Sequence, residues 1–159
     1  MRTWRRALAT VAIVVCTIGC DRVSKHFAAR ELRDSPRQSY LADTLRIEYV
    51  ENRGGFLSMG ANLPERTRTL IFVFGTAVML VGLTFGLVRH DRTTCATIGL
   101  SLIWSGGVSN LVDRLAHGRV VDFLNVGFGP LRTGIFNVAD LAITCGVALV
   151  LLGSWGTKR

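Results

Sequence analysis

Two aspartates, Asp122 in GRVVDF and Asp140 in IFNVAD, are the residues of this sequence best placed to do chemistry, because each is an acid set among apolar neighbours. An ionised carboxylate inside a membrane span costs about 2.5 to 3.5 kcal/mol on insertion scales, so a chain that keeps one there gives it a partner. Two carboxylates brought close in a low-dielectric site cannot both ionise easily, and the pair then holds one proton between them. The ionised member can take a proton from water while the protonated member hydrogen-bonds a carbonyl, a division of labour that hydrolyses an acyl bond with neither a metal nor a nucleophilic Ser or Cys.

The elements that must position these acids are apolar blocks. Of the 159 residues, 49% are hydrophobic, and they are clustered rather than spread at helical or strand spacing. One membrane-embedded domain, residues 1–159, is expected, with spans near 7–28, 70–88, 95–112 and 135–155 and external loops over 29–69 and 113–134. The second block has no charge over a length that crosses a hydrocarbon core of about 30 Å. The first is the least regular: 14 apolar residues behind MRTWRR also fit the apolar region of a signal peptide. TIGC, Thr17 to Cys20, even resembles a lipid-attachment signal, but the helix can run on through DRVSK, where Asp21 and Lys25 fall at i,i+4 as an ion pair.

Four spans put both termini on one side. Arg2, Arg5, Arg6, Arg89, Arg92, Lys158 and Arg159 then share that side with Asp91 as its one acid, whereas Asp21–Thr69 on the opposite side holds nine basic and seven acidic residues. This is a positive-inside pattern, so the net charge of +8 is largely topological and loses its force as an argument for nucleic acid. The loop around LRIEYV has strand-forming content before a Gly-rich turn at Arg53–Gly55, and LPERTR reads as a helix or turn start; a small sheet or cap on the outer membrane surface is expected.

The remaining misplaced polar residues, Asp21, Lys25, Asn110, Asp113, Arg114 and Asn137, lie toward the external ends of their spans. Plainer roles exist for several. Asp113 and Arg114 suit capping and snorkelling, Asn110 and Asn137 suit interhelical hydrogen bonding, and Gly106 and Gly107 suit close helix approach. Cys16, Cys20, Cys95 and Cys145 read as small apolar residues with no disulfide, and Cys16 with Cys20 makes a poor zinc set. His26, His90 and His117 receive no role, and no metal or cofactor is expected.

DRVSK, ENRGGF, SGGVSNLVDR, GRVVDF and FNVADLAI stand in the order and spacing of lipoprotein signal peptidase, or signal peptidase II, a family that the chain resembles from about residue 5 to residue 155. The resemblance implies an all-α integral membrane protein of four transmembrane helices with a small extracytoplasmic β-cradle and a short periplasmic helix. It implies an aspartic endopeptidase of the bacterial inner membrane, multi-pass and with its active site toward the extracytoplasmic face, that cuts prolipoproteins before a diacylglyceryl-modified cysteine. Asp122 and Asp140 match the catalytic pair. Asp21, Lys25, Asn52, Gly54, Asn110, Asp113, Arg114 and Asn137 match positions that support the pair or contact substrate. The implied partners are lipid-modified prolipoproteins and membrane phospholipid, with no nucleic acid, for a protein acting as a monomer. The chain departs from the family pattern at Ser105, Gly107 and Ser109 and in a turn after Asn52 that is one residue shorter.

A proton-coupled transporter or channel subunit would also place an Asp in a broken span, but such proteins commonly show internal repeats and a midplane site. A lipoprotein anchored at Cys20 would lose residues 1–19, which an intact mass would reveal.

Overall fold

The computed structural model describes residues 3–55, 59–88 and 93–155. Arg2, Phe56, Arg89 to Arg92, and Lys158 and Arg159 lie outside the described residues.

Helix α1 (Thr3–Glu31) is unbroken through DRVSK over its 29 residues. Two short strands follow, β1 (Gln38–Tyr40) and β2 (Leu45–Asn52), then helix α2 (Glu65–Val88), helix α3 (Thr94–His117), strands β3 (Val120–Phe128) and β4 (Leu131–Arg132), and helix α4 (Val138–Trp155). The strands form one antiparallel sheet in the order β1-β2-β3-β4. α1, α2 and α3 are long and apolar enough to cross a membrane, and α4 is a shorter apolar helix.

Several boundaries differ from the sequence reading: the first helix runs over Thr3–Glu31 rather than 7–28, and the third continues to His117 rather than ending at 112, so Asp113 and Arg114 lie within it. The fourth helix begins at Val138 rather than at Ile135, because Phe136 bridges to Leu124 of β3: the Phe123 and Leu124 amides donate to the Phe136 carbonyl, and the Phe136 amide donates to Leu124. The expected short outer helix is the first turn of α2, five residues from Glu65 after Pro64, and it is continuous with the span through a π-helical segment, Leu70–Gly75. Such widened turns are frequent at functional sites, and this one carries Phe72.

The packing suits a lipid environment. Among the described residues, the buried set has more polar than apolar members, while large apolar side chains such as Val15, Phe74 and Leu152 are exposed. Where hydrocarbon surrounds the helices, close van der Waals approach replaces the hydrophobic effect as the force that joins them. α3 and α4 meet accordingly at glycine: a Cβ on Gly99 would lie 2.6 Å from the Gly146 carbonyl oxygen, and one on Gly106 would lie 2.5 Å from that of Ala139. Gly107, next to it, faces Leu80 of α2. The apolar cluster among the described residues, Ala28, Leu32 and Phe123, seats the sheet on the C-terminal end of α1.

Gly118 ends α3. Its φ of 69° is the left-handed conformation that glycine adopts without strain, and its amide donates to the Arg114 carbonyl. The chain reverses there and delivers Asp122 two residues into β3.

Candidate active site

Asp122 and Asp140 come from different kinds of element and are joined by one asparagine. Asn137 stands at the start of α4, where its Oδ1 accepts the Asp140 amide at 2.9 Å while Oδ2 of Asp140 accepts the Asn137 amide at 3.2 Å. This reciprocal capping pair satisfies amides that a helix start otherwise leaves unbonded, and it fixes the Asp140 carboxylate in the first turn. The Asn137 side-chain amide then donates to Oδ1 of Asp122 at 2.6 Å. A single buried residue therefore touches both acids.

The sheet supplies the second support of Asp122. Val50 pairs with Asp122 and Asn52 with Val120, so Asn52 and Asp122 are diagonal neighbours on one sheet face. The Asn52 amide donates to Oδ2 of Asp122 at 2.8 Å and also to the Gly55 carbonyl. Oδ1 of Asn52 accepts the Gly54 amide at 2.8 Å, which closes the shortened turn. Burial pushes the Asp122 carboxyl up to about 6; the Asn52 bond opposes the rise, the charge of Asp140 adds to it, and the Asn137 bond and Lys25 oppose it.

Asp140 is held from α3 as well. The Asn110 side-chain amide donates to its Oδ1 at 2.9 Å, and Oδ1 of Asn110 accepts Lys25 Nζ at 2.8 Å. Lys25 spends its other donors on Asp21, at 2.6 Å, and Asp113, at 2.8 Å, so its three protons have three acceptors. Asp21 receives in addition the Ser109 hydroxyl at 2.6 Å and the Ala139 amide at 2.9 Å. The ion pair foreseen at i,i+4 thus ties α1 to α3 and to the first turn of α4.

Asp113 hydrogen-bonds neither Asp122 nor Asp140; it accepts from Lys25 and Arg22 rather than capping the helix. Arg114 does more than snorkel. One of its amino groups donates to the Gly54 carbonyl at 2.8 Å, the other to Asn110, and its guanidinium lies 5.8 Å from the Phe72 ring centre. The Phe72 ring in turn lies where a Cβ on Gly55 would have to be, at 2.5 Å. Gly54, named as a site position, therefore contributes backbone: its amide to Asn52 and its carbonyl to Arg114.

A cleft of about 400 Å³ runs between α2, α3 and α4. Thr76, Met79, Gly107, Ile143 and Val147 give it apolar walls, and Asn110, Arg114 and Asp140 lie at its polar end. Asp140 opens on this cleft, whereas Asp122 lies behind, almost wholly buried.

Three contributors escaped the sequence reading. Arg22 donates to Asp113 and to the Ser109 carbonyl, Ser109 donates to Asp21, and Phe72 closes the cleft beside Arg114. Arg22 and Ser109 sit inside quoted motifs, so their positions were in view; what was missing was the helix rotation that turns them inward. The described residues hold no group of three or more His, Cys, Asp or Glu arranged for a metal, and their four cysteines are free.

Comparison with known proteins bears on this geometry. The family model for signal peptidase (SPase) II matches residues 13–155. The lipoprotein signal peptidase of Streptococcus pneumoniae is 31% identical over 93% of this chain and 92% of its own length. That of Geobacter metallireducens is 34% identical over 88% of this chain and 86% of its own. A bacterial membrane enzyme solved by the in meso method at 2.3 Å resolution shares the fold, with a TM-score of 0.83 at 23% identity over 95% of this chain and 90% of that one. The match leaves the transporter reading without support: by family model and by relatives over most of its length, the chain belongs to the signal peptidase II family.

Proposed function

We propose that the chain is an aspartic endopeptidase that removes signal peptides from prolipoproteins, cutting before the diacylglyceryl-modified cysteine, with Asp122 and Asp140 as its catalytic pair. The observation that supports the pairing most directly is Asn137, which donates its side chain to one carboxylate and its backbone amide to the other. A shared proton suits this arrangement, because the burial that raises Asp122 makes two adjacent negative charges costly.

In this reading the signal helix lies in the apolar cleft, and the scissile carbonyl stops at its polar end beside Asp140. The ionised carboxylate takes a proton from a water molecule as the water oxygen attacks the carbonyl carbon, and the protonated carboxyl donates to the carbonyl oxygen. Collapse of the tetrahedral adduct breaks the C–N bond and returns the shared proton to the leaving amine. Asn52, Asn110 and Asn137 keep the acids oriented, and Asp21, Lys25 and Asp113 hold the helices that carry them. Reaching Asp122 requires the turn at Gly54 and Gly55 to move, and Phe72 and Arg114 are the side chains that hold it.

We take α4 as a fourth span, since 18 residues at 1.5 Å approach the hydrocarbon thickness. Both termini are then cytoplasmic and the site faces the extracytoplasmic side of the inner membrane, as the positive-inside pattern favours. A monomer suffices, because both acids and all their partners come from one chain.

The test is cleavage of a diacylglyceryl-modified precursor beside the unmodified one. Asp122→Asn and Asp140→Asn should each lower turnover by about 10²- to 10⁴-fold while the protein stays folded, and the unmodified precursor should be cut poorly. Substantial turnover by either folded variant would refute the pair.

A further inference from the structure

α1 and α3 present the same spacing to each other. Residues 21, 22 and 25 on one helix and 109, 110 and 113 on the other stand at i, i+1 and i+4, so each set occupies about one turn. The bonds among them close a circuit. Lys25 donates to Asp21 at 2.6 Å and to Asp113 at 2.8 Å. The other oxygen of Asp113 accepts Arg22, and Arg22 donates in turn to the Ser109 carbonyl at 2.6 Å, with the Ser109 hydroxyl 3.4 Å from the same nitrogen. That hydroxyl donates back to Asp21 at 2.6 Å. Two cations, two carboxylates and one serine thus form a ring in which the charges cancel. Asp21 and Ser109 are buried in it, whereas the Arg22 side chain is 36% exposed.

Two bonds lead out of the ring toward α4, and both end at Asp140. Lys25 donates its third proton to Oδ1 of Asn110 at 2.8 Å, which leaves the Asn110 amide to donate to Asp140 at 2.9 Å. A carboxamide can present either end, and the cation on Oδ1 excludes the flipped form that would set an oxygen against the carboxylate. The second bond leaves from Asp21, whose Oδ1 accepts the Ala139 amide at 2.9 Å, one residue before Asp140. Arg22 and Ser109 bond to neither acid of the pair and line no part of the cleft at Asp140. The family resemblance assigns them no role either, and Ser109 is one of the positions where the chain departs from the family pattern.

Resting on the peptidase reading above, we infer that Arg22 and Ser109 are positioning residues for Asp140: Arg22 holds one oxygen of Asp113 so that Lys25 keeps a proton for Asn110, and Ser109 fixes Asp21 against the Ala139 amide. Without Arg22, Asp113 is a buried carboxylate that draws on Lys25 alone, and Asn110 loses the partner that sets its orientation. Without the Ser109 hydroxyl, Oδ2 of Asp21 has Lys25 as its remaining partner, and the carboxylate is free to turn from the start of α4. Either loss displaces Asp140, where a shift of about 1 Å matters to the reaction, and leaves the cleft that receives the peptide intact.

The experiment is cleavage of a diacylglyceryl-modified precursor, over a range of concentrations, by the full-length protein in detergent as wild type, Arg22→Gln, Ser109→Ala and Arg30→Gln. kcat should fall about 10-fold in Ser109→Ala and about 3- to 10-fold in Arg22→Gln, the size of one hydrogen bond to a charged group, reduced by solvent in the second case. KM should stay within about twofold of wild type in both, because the peptide's cleft is untouched. Arg30→Gln removes a charge from the same helix at a side chain 76% exposed, outside the ring, and should match the wild type. In deuterated buffer the segment 137–141 should label sooner in Ser109→Ala than in the wild type. Thermal melts establish folding, and Arg22→Gln, at a half-exposed position, carries the test if Ser109→Ala does not fold. Wild-type kcat in the folded variants would overturn the inference, as would a loss that lies wholly in KM. A wild-type protein that leaves the modified precursor uncut would overturn the peptidase reading and this inference with it, whereas variants that cut as fast as an active wild type refute the ring alone.

Discussion

Replacing Asn52 with alanine should move the pH dependence of cleavage in a known direction. Burial sets Asp122 at about 6, and the hydrogen bond from Asn52, 2.8 Å long, is the largest influence holding it down. A hydrogen bond to a charged acceptor is worth about 1.5 to 3 kcal/mol, and each pH unit corresponds to about 1.4 kcal/mol. Its loss disfavours the ionised carboxylate and raises the pKa by roughly 1 to 2 units. The Asn137 bond remains, so Asp122 stays oriented. The profile of kcat/KM against pH, which reports the free enzyme, should therefore shift its inflection from near 6 to about 7 or 8. The assay is initial-rate cleavage of a lipid-modified precursor in detergent across that range, with a thermal melt to confirm folding. An inflection that stays in place in a folded and active Asn52→Ala protein, or one that moves toward acid, would refute the account of what tunes Asp122.

Asp122 also makes a stability prediction. Its folded pKa lies above the unfolded value, so the contribution it makes through its proton is complete below about pH 4 and is lost as the pH rises through about 6. The shift from 3.8 to about 6 corresponds to about 3 kcal/mol, and Asp122→Asn should melt above the wild type at pH 7 while the two converge near pH 4; equal melting at both pH values would count against it. Lys25→Met should cost about 3 to 5 kcal/mol in denaturation experiments, because Asp21 and Asp113 are left buried without their cation, and Lys25→Arg should not restore the loss, since the three acceptors are placed around a point charge. Gly106→Val should cost about 1 to 3 kcal/mol and lower kcat more than it raises KM, because the added carbons meet the Ala139 carbonyl one residue from Asp140; a variant with unchanged kcat would show that the helix start is not positioned by this contact.

The parts of this site legible in the sequence are those set by local spacing. Asp21 and Lys25 pair because four residues make one turn; Asn137 and Asp140, three residues apart, cap one another, although Asn137 reads from sequence as an interhelical hydrogen-bonding residue. Asp140 announced itself as an acid in apolar sequence. What spacing could not give was anything that joins distant segments. The bridge between Leu124 and Phe136 shortens α4, and no hydropathy pattern around Ile135 contains it. The register that brings Asn52 beside Asp122 depends on a shift in pairing between Ile47 and Val50. Arg22 looked like one more external charge until the rotation of α1 against α3 directed it to Asp113. Likewise α2 reads from sequence as a span that starts at Leu70, because the charged turn Glu65–Thr69 is polar, yet its backbone continues into the span through the π-helical segment.

The way α4 begins has a consequence for solvent exchange. The first amides of a helix normally lack intrahelical acceptors and swap their protons with water quickly. Here the Asn137 amide is taken by Asp140, the Ala139 amide by Asp21 and the Asp140 amide by Asn137, so the terminus that would ordinarily fray is clamped from three directions. In deuterated buffer these positions should label as slowly as the middle of α3. The end of the helix bearing Asp140 then behaves as a fixed anvil, so any movement that uncovers Asp122 has to come from the elements packed against it.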